Sequence, residues 1–128
     1  MLLVVQVLAS LALLFIAAGL IQRKRAKDHV RWMLFAFVAD IIGLLLVEIP
    51  PLFNSEALDP VGGLIKEFSM IKGTHALFAT LSLVAYGLQI RSGRKILSGD
   101  RALLPSHRTM AVFFLITRVL AYITMWML

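Results

Sequence analysis

Cysteine is absent from this chain, and that absence alone removes a large part of protein chemistry. Without thiols there are no structural disulfides, thiolate zinc sites, iron–sulfur clusters or haem attached through a Cys pair. Any metal ligand has to be His, Met or carboxylate. Acids are scarce as well: seven Asp and Glu stand against 13 Lys and Arg, for a net charge of +6. No nucleophile–base pair, Gly-rich phosphate loop or catalytic metal motif is present, so catalysis is not indicated. Long polar stretches are also missing, which leaves no room for a sizeable domain outside the apolar segments.

What the chain does have is apolar sequence. Of its 128 residues, 60% are hydrophobic and the mean hydropathy is +0.90, well above the roughly 45–50% apolar content of soluble domains. A span needs about 20 apolar residues, and four segments meet that length, at about 2–21, 30–49, 70–90 and 107–128. The expected fold is a single all-α domain, an integral-membrane four-helix transmembrane bundle.

The bases flank these segments instead of forming a stripe on a polar fold, which argues against nucleic acid and for lipid contact and orientation. Arg23, Lys24, Arg25, Lys27 and Arg31 lie between the first two segments; Arg91, Arg94, Lys95, Arg101 and Arg108 lie between the last two. The middle connection balances Lys66 and Lys72 against Glu56, Asp59 and Glu67. By the positive-inside rule the basic loops are cytoplasmic and both termini outside, in what is expected to be a bacterial plasma membrane.

The first segment is uncharged and ends at Gln22-Arg23-Lys24-Arg25, the pattern of a retained span more than of a cleaved signal. Its small residues Ala9, Ala12, Ala17, Ala18 and Gly19 suit close approach of a neighbouring helix. The second segment is expected to stop at Pro50-Pro51. Asn54, Asp59-Pro60 and Gly62-Gly63 then mark a loop, and Leu64, Ile65 and Phe68 recur at helical spacing. The third segment is the most polar. Ser92-Gly93, Ser98-Gly99-Asp100 and Pro105 predict a turn-rich linker, with Ser106 as N-cap of the fourth. Trp32, Tyr122 and Trp126 are placed as interfacial anchors.

Two charges sit inside the apolar segments, Asp40 in the second and Arg118 in the fourth, and each follows a histidine by eleven residues, His29 and His107. A charge within a span costs at least ~2.5–3.5 kcal/mol, so an acid and a base at equal depth predict one intramembrane ion pair. Eleven residues are about three helical turns, which places each histidine on the face of its charge. His29-Val-Arg-Trp-Met-Leu-Phe and His107-Arg-Thr-Met-Ala-Val-Phe-Phe form a weak internal repeat. Two imidazoles suit haem iron, copper or zinc; the alternative is contact with headgroups or a helix end. His75 and Glu48 fall at similar depth in the outer half, as a metal pair, a proton path or interhelical hydrogen bonding. Met33 and Met110, one turn after the histidines, are expected to pack.

The segments His29-x-Arg-x-Met, Thr74-His75-Ala76-Leu77-Phe78-Ala79 and His107-Arg108-x-Met-Ala resemble the CtaM/YozB-like small membrane proteins. The resemblance runs over spans two to four. It implies a four-span bundle linked to maturation of haem A-containing cytochrome c oxidases, with His29, His75 and His107 as the functional histidines. Where that pattern has a further histidine near the outer end of span two, this chain has Glu48 ahead of Pro50 and Pro51. The resulting expectation is a non-catalytic membrane protein that assists or associates with a respiratory haem-copper oxidase and contacts haem or copper through histidines. The rivals are a small b-type cytochrome linked to quinone and an accessory structural subunit of a larger membrane complex.

Overall fold

In the computed structural model the described residues are 2–52 and 70–128, with side chains described for 3–46 and 70–128. Every regular element among them is helical. Helix α1 spans Leu2–Ile21, α2 Ala26–Leu52, α3 Met70–Leu97 and α4 Leu104–Trp126, with a 3-10 turn at Arg101–Leu103 between the last two. The all-α class is therefore as expected. Among the described residues, three stretches are long and apolar enough to cross a membrane: Leu3–Ile21, Ala26–Leu46 and Arg101–Trp126, with mean hydropathies of 2.5, 1.7 and 1.6. Helix α3 has the length, at 28 residues, but Lys72, Thr74, His75, Thr80, Ser82 and Gln89 dilute its apolarity.

The chain divides into two units, Met1–Phe68 and Ser69–Leu128, each built on a pair of helices. In the first, small residues set the approach of α1 and α2. Ala9, Ala12, Ile16 and Gly19 on α1 and Ala36, Ala39 and Gly43 on α2 are buried, recurring every three or four residues as a helix–helix seam requires. A methyl group on Gly19 would lie 3.3 Å from Trp32 Cβ and 3.4 Å from the Met33 side chain, and one on Gly43 would meet Val5 and Leu8 at 4.0 Å. The two glycines thus mark opposite ends of an antiparallel contact. Of the small residues singled out on α1, Ala17 is exposed and Ala18 half-buried; both stand off the seam.

Helix α2 starts at Ala26, a turn earlier than position 30, because Arg25 already accepts the His29 amide at 2.9 Å. Asp28 in its first turn suits the positive end of the helix dipole. Its assignment continues through Pro50-Pro51 to Leu52, past the expected stop at 49. The loop signals from Asn54 to Gly63, the Leu64–Phe68 pattern and the Glu48 side chain lie outside the described residues.

In the second unit α3 continues seven residues beyond position 90, through Ser92-Gly93, which is helix and not turn. Gly93 lies against α4: a methyl group there would be 3.5 Å from Cε1 of His107. The helix closes instead at Gly99, whose φ of +114° is open only to glycine. The Gly99 amide donates to Ile96 and that of Asp100 to Lys95, at 3.1 and 3.0 Å, the paired bonds of a Schellman cap. Helix α4 begins at Leu104 with Pro105 in its first turn, where a missing N–H is harmless, and Ser106 lies inside the helix rather than capping it. Phe114, Thr117, Arg118, Ala121 and Met125 are the buried stripe of α4; Ser82, Ala85 and Tyr86 are that of α3. The Tyr86 and Phe114 rings pack with centroids 4.3 Å apart and their planes tilted by 56°.

Candidate functional site: three anchored histidines

Each of the three histidines is held through Nδ1 by a partner in its own unit, and each partner is different. At the end of α1 the amide of Arg23 turns to Leu20 at 3.3 Å and leaves the Gly19 carbonyl, its normal helical acceptor, without that bond. The ring of His29 fills the gap: its Nδ1–H donates to Gly19 O at 2.8 Å. The same glycine that admits Trp32 and Met33 therefore also supplies the acceptor. Met33 packs there, as expected of a span methionine. Trp32 is half-buried and turned toward α1, with its ring 5.7 Å from Phe15 and 5.9 Å from Phe35; it is less an outward anchor than part of an aromatic cluster beside His29.

His75 reaches from α3 to α4. Its Nδ1–H lies 3.0 Å from the Ala121 carbonyl and 3.1 Å from Thr124 Oγ1. The Thr124 hydroxyl spends its proton on Leu120 O at 2.8 Å, so its oxygen is able to accept. This is hydrogen bonding between helices, one of the roles expected for His75. Its other expected partner, Glu48, belongs to the side chains not described.

His107 is joined to Ser92 Oγ by a hydrogen bond of 2.7 Å, in which either group is able to donate. Gln89 Nε2 donates to the backbone carbonyl of His107 at 2.9 Å. Gln89 and Ser92 stand three residues apart on one face of α3, and both hold His107 in the first turn of α4. From the sequence Ser92 reads as a turn residue and Gln89 is not singled out, although a lone carboxamide near the end of an apolar segment is a usable sign of a helix-end clasp. Gly19, Ala121 and Thr124 carry no such sign, because a backbone carbonyl or a span threonine is present whether or not a histidine finds it.

Counting from Ala26 and from Leu104, His29 and His107 are each the fourth residue of a helix, and Asp40 and Arg118 each the fifteenth. The common spacing therefore lies within regular helix in both units. Arg118 is buried at 7% exposure and Asp40 is half-buried. Span hydroxyls are satisfied locally: Ser10 donates to Gln6 O at 2.7 Å, and Thr117 to Phe114 O at 3.0 Å. Ser82 Oγ is buried with no hydrogen-bond partner among the described residues.

Among the described residues no three His or carboxylate side chains gather as a bare metal ion would require. Haem iron asks less of the protein, since the porphyrin supplies four nitrogens and one or two imidazoles complete the set. A histidine whose Nδ1 is fixed by a backbone carbonyl is the usual form of such a ligand. No known protein-family model, curated protein or solved structure matches the chain.

Proposed function

We propose that this is a non-catalytic membrane protein that assists, or associates with, a respiratory haem-copper oxidase, its histidines contacting haem or copper during assembly. The observation that carries this reading is the anchoring of all three histidines: in each, Nδ1 is bonded to a neighbour at 2.7–3.0 Å, a cost in side-chain freedom that a lipid-facing histidine has no need to bear. The sequence resemblance to the CtaM/YozB-like proteins, which covers all three histidines, supports the same reading. The membrane is the bacterial plasma membrane, with the two basic connections cytoplasmic and the termini outside.

The test is complementation of a strain lacking the gene. Variants His29→Ala, His75→Ala and His107→Ala should lower oxidase haem content and activity while the protein itself still accumulates in the membrane. Unchanged oxidase in all three would end the proposal. An absorption spectrum and metal analysis of the purified chain separate the rivals: tightly held haem b that exchanges electrons with quinol would identify a small b-type cytochrome instead. A chain that copurifies with a fixed complex but responds to no histidine variant would be a structural subunit.

A further inference from the structure

Beside the small-residue seam, α1 and α2 leave an open groove. Leu8, Leu11 and Phe15 of α1 form one wall and Phe35, Val38 and Ile42 of α2 the other, around a volume of about 370 Å³, and Trp32 stands at the end nearest the helix connection. Every lining side chain is apolar or aromatic. Leu11, Phe35, Val38 and Ile42 are 39–52% exposed, so no other described side chain fills the groove. Its length matches one leaflet. Trp32 and Ile42 are ten residues apart in regular helix, a rise of ~15 Å against a hydrocarbon core of ~30 Å.

Helical register puts charge at one end of this groove only. Successive residues turn by ~100°, so Lys27, Arg31, Phe35, Val38 and Ile42 fall within ~80° of helix surface, one stripe along α2. The stripe is basic beyond the groove and apolar within it. Lys27 and Arg31 are exposed, and Asp28, the one acid of this first turn, is half-buried. Asp40 lies on the opposite side of the helix, half a turn from Val38 and Ile42. A carboxylate is costly against hydrocarbon, so of these two faces the apolar groove is the one that suits lipid.

We propose that the groove holds one acyl chain of an anionic phospholipid, whose headgroup phosphate is bound by Lys27 and Arg31 beyond the groove's end. A zwitterionic lipid gains little beyond the apolar contact, and free phosphate gains only the charge. The site lies in the leaflet that the α1–α2 connection enters. It needs neither haem nor a partner complex, so it stands or falls separately from the oxidase reading.

Trp32 serves as the reporter. The chain has two tryptophans, so full-length Trp126→Phe leaves Trp32, at the groove, as the only one that chain-brominated lipid can quench. Nanodiscs of phosphatidylcholine are prepared with rising fractions of brominated phosphatidylglycerol or, separately, of brominated phosphatidylcholine. Phosphatidylglycerol should quench at the lower mole fraction. Lys27→Gln and Arg31→Gln should each raise its half-quenching fraction about fivefold, the worth of one base near a membrane surface, and leave that of phosphatidylcholine unchanged. Val38→Phe, at an exposed position, should reduce quenching by filling the groove. Equal quenching by the two lipids would reduce the groove to ordinary lipid contact and overturn the proposal. A preference indifferent to both base variants, or quenching indifferent to Val38→Phe, would overturn it as well. So would the absence of quenching by either lipid, which would mean that protein covers the groove.

Discussion

At the scale of single residues, glycine and histidine have exchanged the roles usually given them. Gly19 is needed less for backbone freedom than for its missing side chain, which lets Trp32 and Met33 come within 3.3–3.4 Å of its Cβ position, and for a carbonyl that His29 is able to reach. Gly19→Leu should therefore destabilise the α1–α2 pair by about 1–3 kcal/mol, the usual cost of overpacking, measured as a lower midpoint of unfolding in mixed micelles. A midpoint equal to wild type would show that the close approach is dispensable. His75 should behave differently. Interhelical hydrogen bonds contribute ~0.6 kcal/mol on average, so His75→Leu should shift the same midpoint only slightly, while a ligand role would appear as a loss of cofactor much larger than that shift. The three imidazoles, nearly indistinguishable as letters, are separated by what they touch: a helix-end carbonyl, a mid-helix carbonyl with a threonine, and a serine.

Among the elements, α3 is the exception. The other three helices contain stretches apolar and long enough to cross a membrane, whereas α3 carries Lys72, Thr74, His75 and Thr80 in its first half and Gln89 near position 90. Several of these polar groups are spent on α4 or on the α3 backbone: His75 on Ala121 and Thr124, Gln89 on His107, Thr74 on Met70 O at 2.8 Å. Helix α3 is thus polar because of its partner. In a glycosylation-mapping insertion assay, α3 alone should insert less completely than α1, α2 or α4 alone, and should insert better when followed by α4. Lys72→Leu should raise its solitary insertion, since a charge costs up to ~2.5–3.5 kcal/mol toward the centre of a span and less near its end. Equal insertion of all four helices would contradict this account.

For the whole molecule, orientation is a question of charge, and the lack of cysteine makes it directly measurable. Single cysteines placed at Ser98, in the α3–α4 connection, and at Met127, after α4, should label from opposite sides of sealed inverted vesicles. Ser98→Cys should react with an impermeant maleimide added outside, where the cytoplasmic face is exposed, and Met127→Cys only after permeabilisation. The reverse pattern would invert the topology proposed from the ten bases of the two connections. What the sequence determined by itself is of this additive kind: helical class, membrane character and the placing of bases follow from composition summed over twenty-residue windows, and no partner has to be known. Helix ends were less legible. Ser92-Gly93 reads as a turn until α4 is seen lying against Gly93, and Ser98-Gly99-Asp100 terminates α3 because the Schellman bonds form there. Tertiary structure alone decided which nitrogen of each histidine is engaged. The partners of His29 and His75 lie 10 and 46 residues away, and two of them are backbone carbonyls, which every residue possesses and no residue letter reveals.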